Sequence, residues 1–203
     1  MELNHLVKSL EDRRFSVEVF SDPDEVRQAL RQQADPLQTI GFGGSSTLRQ
    51  LDIPAYLSES GYRTIDHWEP NLSREQDMER RLAMGRCDLF LTSVNACTKD
   101  GRLMLVDGIG NRVAAAIFGP GRVIFILGTN KIVPDLDAAY ERIRKVAAPR
   151  RAKGLGMNTP CAKTGECADC RSPQRICRAT LILDYAPMAT PSSVWIVRGE
   201  YGD

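Results

Sequence analysis

Apolar residues along this chain fall into two alternating patterns. Nearly continuous apolar runs predict buried strands over 88–94 and 122–127, and a short buried strand that ends in glycines is predicted over 37–42. Before and between these strands lie amphipathic segments with helix-start signals, such as those at Pro23 and Ser73, which predict helices. Because strand and helix alternate at this spacing, the pattern predicts right-handed βαβ crossovers and an α/β fold with a Rossmann-like, mostly parallel sheet.

The remaining elements follow from the same signals. Lys99-Asp100-Gly101 has the residues of a hairpin turn. Further helices are predicted over 1–14, from Ser45, from Pro54, over 111–118, and from Pro134 to just before Pro149. Further strands are predicted over 15–20, 62–66, 179–184 and 193–198. A chain of 203 residues with this pattern is expected to form one domain, spanning residues 1–203.

The regular pattern stops after Pro149. Residues 150–178 contain few large apolar side chains and many Gly, Pro, Lys and Arg, and so lack the means to build a core. The same segment contains Cys161, Cys167, Cys170 and Cys177, with the spacing C-x5-C-x2-C-x6-C. A metal centre would organise such a segment. We therefore predict a cysteine-rich metal-binding segment over 150–178.

Four thiolates are the ligands of either a structural zinc ion or an iron–sulfur cluster. Only Cys167 and Cys170 have the spacing of a zinc knuckle, and the two histidines, His5 and His67, are far from the cysteines in sequence. The bacterial ferredoxin run C-x2-C-x2-C-x3-C-P is absent. The irregular spacing favours a [4Fe–4S] cluster, with Zn²⁺ and free thiols as the alternatives.

Positive charge is concentrated around these cysteines. Residues 142–178 contain ten Lys or Arg and two acids, a net charge of +8 within a chain whose total is +1. This charge would neutralise an anionic metal–thiolate centre and would suit an acidic electron-transfer partner, such as another iron–sulfur protein. A nucleic-acid partner is disfavoured because few aromatic residues are interleaved with the basic ones.

The chain shows no sign of export or of membrane insertion. Its N-terminal residues mix acids and bases without an apolar run, and no apolar stretch approaches the length of a membrane span. We therefore expect a cytoplasmic protein, in which disulfides are disfavoured and clustered cysteines bind metal. Cys87 and Cys97, which lie apart from the cluster, are expected to be small buried residues.

A glycine-rich turn follows the strand at 37–42. Its residues are Gly43, Gly44, Ser45, Ser46 and Thr47. A strand-to-helix turn of this kind points backbone N–H groups and hydroxyls beyond the strand end, where the helix dipole favours an anion. The alternative is a tight turn in which a serine only caps the helix.

Other polar residues follow neighbouring strands. Asp107 is a candidate acid or base, although it could instead be an ordinary residue at a helix N-terminus. Lys131 is a candidate anion holder, and a nucleophile only if desolvated, with a surface lysine as the alternative. The remaining candidate ligand-binding residues are Asn95, Gly108, Gly110, Asn111, Arg112 and Asn130. Because parallel strands end at the same edge of a sheet, we expect these residues to line one crevice.

The stretches GFGGSSTLRQLDI and DLFLTSVNACTKDGRLMLVDGIGNRVAAAIFGPGRVIFILGTNK carry a family resemblance. With the flanking residues of 1–150, they resemble the LUD-domain (lactate-utilisation) family. The resemblance implies a sheet of the sugar-isomerase/CoA-transferase-like type and a role beside iron–sulfur partners in oxidising L-lactate to pyruvate. In such folds the glycine-rich loop, the Asp-Gly turn and the strand-end lysine line a pocket for sugar phosphates, CoA esters or folates, here 43–47, 107–112 and Lys131.

Two functions follow from these observations. The first is an iron–sulfur redox accessory protein, part of an oxidoreductase system for lactate or another hydroxy acid, that binds a small anionic ligand. The alternative is an isomerase or acyl-transfer enzyme for a small phosphate, CoA or carboxylate substrate, with Asp107 and Lys131 as catalytic residues and a purely structural metal. The added cysteine segment distinguishes the chain from the simplest lactate-utilisation subunits and favours the first.

Overall fold

A computed structural model describes residues 3–203. The first predicted helix is observed as α1, Asn4–Asp12, and the first two residues of the predicted range, 1–2, lie outside the described residues. The strands are β1 Ser16–Phe20, β2 Thr39–Phe42, β3 Arg63–Ile65, β4 Leu89–Thr92, β5 Ala96–Thr98, β6 Leu103–Asp107, β7 Arg122–Gly128, β8 Ile132–Val133, β9 Ala179–Leu183 and β10 Ser192–Val197. The remaining helices are α2 Pro23–Gln33, α3 Ser46–Gln50, α4 Ile53–Glu59, α5 Arg74–Met84, α6 Asn111–Ile117, α7 Leu136–Arg142, α8 Ala148–Gly154 and α9 Pro160–Thr164.

Six parallel strands form the main sheet, in the order β1-β10-β7-β4-β2-β3. This confirms the predicted mixed α/β, Rossmann-like architecture. The last strand of the chain, β10, lies inside the sheet between β1 and β7 rather than at an edge. The C-terminal residues that follow β10 therefore emerge beside the ends of the other strands.

Alternating side chains of the central strands build two cores, one on each face of this sheet. In β7, Val123, Phe125 and Leu127 pack on one face with α1 and α6, whereas Ile124 and Ile126 pack on the other with α2, α3 and α4. Burial on both faces explains why these strands are continuous apolar runs instead of alternating apolar and polar residues.

A second sheet of four strands, in the order β8-β5-β6-β9, packs against the first core. The hairpin predicted at Lys99-Asp100-Gly101 joins β5 to β6 as an antiparallel pair, and Gly101 has the positive φ of +90° that the turn requires. Met104 of β6 faces away from the first core and packs against α7. The sequence pattern predicted the hairpin but not that it belongs to a separate sheet.

The helix predicted to end before Pro149 continues, so its predicted end was wrong. Residues Ile143–Ala147 form a π-helical turn, and α8 then begins at Ala148 with Pro149 in its first turn. A proline is tolerated there because the first N–H groups of a helix have no α-helical acceptor. The extension carries Arg151 toward the strand ends.

No helix within residues 3–203 combines the length and the apolar character that crossing a bilayer requires.

Replacing Trp195 should destabilise the whole fold. The side chain is fully buried in β10 and packs at 5.0 Å (ring centroids) against Phe20. We expect Trp195→Ala to lower the free energy of unfolding by about 3–5 kcal/mol, because truncation loses buried contacts and leaves a cavity. Urea denaturation measures this. Met188→Ala, at a fully exposed apolar residue, is the control and should leave the midpoint unchanged.

Candidate functional site

A cavity of about 460 Å³ lies beyond the carboxyl ends of β2, β3, β4 and β7. The cavity lies where the order in which the chain adds strands to the sheet changes direction. The chain passes from β2 outward to the edge strand β3, then crosses back to β4 on the other side of β2 and continues to β7. This switch point is where open α/β sheets bind ligands. We call this space the ligand cavity.

Most of the predicted site residues meet there. The residues that line the ligand cavity include Gly44, Ser45, Ser46, Asn95, Asp107, Gly108, Asn111, Arg112 and Lys131. Gly43, Thr47, Gly110 and Asn130 are not in its lining. The strand ends therefore converge as expected, and some of the predicted residues support the wall from behind.

The glycine-rich turn needs its glycines for close packing. A Cβ at Gly43 would lie 2.5 Å from Thr92 Oγ1, and a Cβ at Gly44 would lie 3.2 Å from the Trp68 ring and 3.3 Å from His67 Nε2. Ser45 Oγ accepts a hydrogen bond of 3.3 Å from Leu48 N and so caps α3. The turn therefore both caps α3 through Ser45 and forms part of the wall of the ligand cavity.

Asp107 has the contacts of a helix-capping carboxylate. Its oxygens accept hydrogen bonds from the backbone N–H groups of Ile109, Arg112 and Val113, at 2.9–3.2 Å. Burial opposes its ionisation, but the Arg112 charge and these N–H groups outweigh burial and hold the pKa of Asp107 below its ordinary value. Asp107 is thus ionised at neutral pH, and an acid–base role for it remains a prediction.

Arg112 ties the strand ends together from a partly buried position. Its guanidinium donates to Ser93 O at 3.1 Å, to Asn95 Oδ1 at 3.0 Å and to Val106 O at 2.6 Å. Asn95 Oδ1 also accepts from Val106 N at 2.8 Å. Both side chains border the cavity while their polar atoms hold the surrounding backbone in place.

Lys131 is buried, unlike the surface lysine of the alternative interpretation. The residue is 4% exposed, and its Nζ lies 2.8 Å from Thr47 Oγ1, 3.3 Å from Ser93 Oγ and 3.0 Å from Val94 O. Burial, followed by the charges of Arg142 and Arg112, lowers the pKa of Lys131 to about 7. A large fraction of this amine is therefore neutral at physiological pH.

Sequence reasoning missed a stack of side chains on the opposite wall. Asp66 binds Arg49 through both carboxylate oxygens at 2.6 Å and accepts a hydrogen bond from Trp68 N. The guanidinium carbons of Arg49 and Arg151 lie 5.0 Å and 4.4 Å from the centroid of the Trp68 ring. Within residues 3–203 the Arg151 guanidinium has no hydrogen-bond or ion-pair partner, so its donors are free.

His67 lies beside this stack and was also missed. It is 6% exposed, and its buried Nδ1 has no hydrogen-bond partner among the described residues. Burial and then the charge of Arg81 lower the pKa of His67 to about 4, so the imidazole is neutral at pH 7. The sequence signal was its position directly after the predicted strand 62–66.

The C-terminal residues 199–203, which we call the tail, cover one end of the cavity. Asp203 Oδ2 accepts a hydrogen bond of 3.0 Å from Ser46 Oγ, and Asp203 O accepts one of 3.0 Å from Arg142. Asn130 holds the tail through Gly202 O and Tyr201 N. A carboxylate of the protein itself therefore lies on the serine turn, where an anionic ligand was predicted.

The four clustered cysteines surround a second, smaller cavity of about 20 Å³, the cysteine cavity. Cys161 belongs to α9, and the segment beyond is held by Arg175, which donates to Cys170 O and Cys177 O at 2.8 Å. No three His, Cys, Asp or Glu side chains within residues 3–203 form a group that could hold a metal ion. Metal binding by these cysteines therefore remains a prediction.

The cysteine cavity and the ligand cavity share a wall formed by Ala148, Arg175, Ile176 and Cys177. The cysteine segment is also bonded to the Asp-Gly turn: Arg178 N donates to Asp107 O at 3.0 Å, and a Cβ at Gly108 would lie 3.0 Å from Ile176 O. Cys87 and Cys97, by contrast, are buried in the core, and burial raises the pKa of their thiols to about 11 and about 12.

This fold and site define an α/β protein with a ligand-sized, cation-rich cavity at the carboxyl ends of its parallel strands. The chain belongs to the LUD domain family, which it matches over residues 3–196. This confirms the family resemblance.

The solved structures that resemble the chain include the following two. A DUF162 family protein from Deinococcus radiodurans is 18% identical, with a TM-score of 0.51 over 98% of this chain and 99% of that chain, and shows the same fold. Ribose 5-phosphate isomerase from Plasmodium falciparum is 16% identical, with a TM-score of 0.34 over 55% of this chain and 52% of that chain. No functionally curated protein matches the chain in sequence.

The buried His67 should make stability depend on pH in the acid range. Its pKa is about 4 in the folded protein against an ordinary 6.5, so between these values the unfolded chain binds more protons. The contribution of neutral His67 is complete above pH 6.5 and is lost as the pH falls toward 4. We expect His67→Gln to flatten this part of the curve of unfolding free energy against pH. His5→Gln, at an exposed residue, should leave the curve unchanged.

Proposed function

We propose that this protein is an iron–sulfur redox accessory protein that acts with an oxidoreductase system for small hydroxy acids such as lactate. In this proposal Cys161, Cys167, Cys170 and Cys177 hold a [4Fe–4S] cluster, and the ligand cavity binds a small anionic ligand. The observation that carries it is the wall shared by the cysteine cavity and the ligand cavity, which would place the cluster beside the bound ligand.

The chemistry of the donor set supports this proposal, although the thiols would have to move to bind a metal. Four thiols border one small space, and Arg175 fixes the backbone at two of them. A cavity of about 20 Å³ has room for one water-sized sphere, so a cluster would require the loop of Cys167, the exposed member of the set, to move outward. A zinc ion, the alternative, would require the thiols to draw together. When bound, the cluster would supply one-electron transfer.

The charge of the ligand cavity supports an anionic ligand. Its lining includes five arginines, Arg81, Arg112, Arg151, Arg175 and Arg178, together with Lys131 and two acids, Asp107 and Asp203. Several of these cations are hydrogen-bonded or ion-paired within the protein, whereas Arg151 packs on the Trp68 ring and has no hydrogen-bond partner among the described residues. Its free donors, opposite Ser46 and the tail carboxylate, suit a carboxylate or phosphate group.

Electron transfer requires a partner, and the basic segment offers a surface for one. Arg144, Lys145, Arg150, Lys153, Lys163, Arg171 and Arg178 are exposed around the cysteine cavity and along the helix before it. An acidic electron carrier would be attracted to this surface. A reducing cytoplasm would keep the four thiols available for metal.

Metal analysis tests the cluster. Protein purified without oxygen should contain about four irons per chain and show the visible absorbance of a [4Fe–4S] cluster. Cys167→Ser should lose most of the iron without unfolding, because Cys167 is exposed. The matched control Cys97→Ala, in the core, should keep the iron. One zinc and no iron in anaerobic wild-type protein would rule out the cluster.

Arg151 should determine the affinity for anions. Because its guanidinium is free and desolvated, we expect Arg151→Gln to weaken binding of L-lactate or inorganic phosphate roughly ten- to hundredfold, the equivalent of about 1.5–3 kcal/mol for a lost charged hydrogen bond. Titration calorimetry measures this. Arg150→Gln changes the neighbouring, exposed residue and should bind as the wild type does. Equal affinities of the two variants would contradict the assignment of Arg151.

One observation favours the second candidate, an isomerase or acyl-transfer enzyme for a small anionic substrate. The buried amine of Lys131 borders the ligand cavity, where it could hold a substrate anion or react with it. Turnover of sugar phosphates or CoA esters by metal-depleted protein would support this candidate. Their failure to raise the melting temperature of the wild-type protein would oppose it.

A further inference from the structure

The contacts of Lys131 accommodate its amine in either protonation state. Nζ is surrounded by two hydroxyls, Thr47 Oγ1 and Ser93 Oγ, and by the carbonyl of Val94, at 2.8–3.3 Å. Within residues 3–203 no carboxylate forms an ion pair with it. Hydroxyls can either donate or accept, so this set of contacts satisfies a neutral amine as well as a charged one.

The charges around Lys131 come from three elements. Arg142 on α7 and Arg112 on α6 oppose its protonation, and Asp203 of the tail favours it. The two arginines outweigh the single, partly exposed carboxylate. Together they therefore add to the effect of burial and further favour the neutral amine of Lys131. An amine that is desolvated and lies near other cations is the setting in which lysine acts as a nucleophile.

The tail lies directly on this amine. A Cβ at Gly202 would lie 3.0 Å from Lys131 Nζ and 2.2 Å from Thr47 Oγ1, so only glycine lets the backbone approach so closely. The carboxylate of Asp203 is bonded to Ser46 next to it. The tail thus places the Asp203 carboxylate near Lys131 Nζ, at the edge of the ligand cavity. In the same cavity, the free donors of Arg151 suit an anion.

We infer that Lys131 is a reactive amine that forms an imine with a small carbonyl compound bearing a carboxylate or phosphate. The anionic group of the ligand would take the place of the Asp203 carboxylate, with Ser46 and Arg151 as donors, and its carbonyl carbon would face Nζ. This inference rests on the proposal that the ligand cavity binds small anions, and it extends that proposal from binding to covalent capture.

The step is balanced without any further reagent. The nitrogen lone pair of neutral Lys131 attacks the carbonyl carbon, and the resulting carbinolamine loses its oxygen as water. The two hydrogens of that water come from the amine, and the carbon–nitrogen double bond replaces the carbon–oxygen double bond. No electron is gained or lost, so the iron–sulfur centre takes no part in this step.

Reductive trapping tests the inference. Full-length wild-type protein is incubated with glyoxylate or with glyceraldehyde 3-phosphate in the presence of cyanoborohydride, and the modified peptide is then located by mass spectrometry. We expect one adduct per chain, on Lys131, formed much faster than on any exposed lysine. The faster of the two probes shows whether the site prefers a carboxylate or a phosphate.

Two variants sharpen the result. Lys131→Arg keeps a positive charge but cannot form an imine, and should abolish the fast adduct, whereas Lys153→Arg, at an exposed lysine, should leave it unchanged. The trapping rate should rise with pH and reach half its maximum near 7, the pKa of Lys131, well below the range of exposed lysines. Because the adduct is mapped in the wild-type protein, the test stands even if Lys131→Arg fails to fold.

Other outcomes would overturn the inference or its basis. Adducts spread over exposed lysines, with Lys131 unmodified, would refute the reactive amine. If glyoxylate raises the melting temperature and competes with phosphate but leaves Lys131 unmodified, the cavity binds anions and only the covalent step is wrong. If neither probe binds or reacts, the anion-binding proposal fails together with the inference.

Discussion

The arrangement of both cavities depends on the hydrogen bonds that the partly buried guanidinium of Arg112 donates. The guanidinium joins the loop after β4, through Ser93 O and Asn95, to the end of β6 at Val106 O. Its own backbone N–H is held by Asp107, whose carbonyl oxygen accepts from Arg178 in the cysteine segment. Arg112 and the carboxylate and backbone carbonyl of Asp107 thus connect the parallel sheet, the small sheet and the cysteine segment.

This connection has an electrostatic consequence. The Arg112 guanidinium donates three hydrogen bonds to protein acceptors, and its charge acts on neighbouring groups in a region of low dielectric. It contributes to the lowered pKa of Lys131, and with Arg142 it makes the strand-end region positive before any ligand enters. The tail carboxylate of Asp203 partly neutralises this region, and an anionic ligand would do the same.

Local sequence signals were sufficient for most of the secondary structure. The continuous apolar runs of β4 and β7, the helix-start signals at Pro23 and Ser73 and the Asp-Gly hairpin were all confirmed, because each is a pattern within a short stretch of sequence. The prediction failed at Pro149, where a π-helical turn lets the helix continue, and it did not foresee that the hairpin pairs with β8 and β9 in a second sheet.

The residues of the strand-end turns were predictable because parallel strands end at one edge of a sheet, and the family was recognisable from those same turns. What required the tertiary structure was the distance between segments far apart in sequence. Arg49 and Arg151 meet on Trp68, Asp203 reaches Ser46, and Cys177 borders the ligand cavity, although no local pattern brings these residues together. The burial of Lys131 is likewise a product of folding, since desolvation depends on the chain packed around it. The sequence alone could therefore indicate the groups that the strand-end turns contribute to the site. Only the packed chain shows which other side chains join them and which donors are free to act.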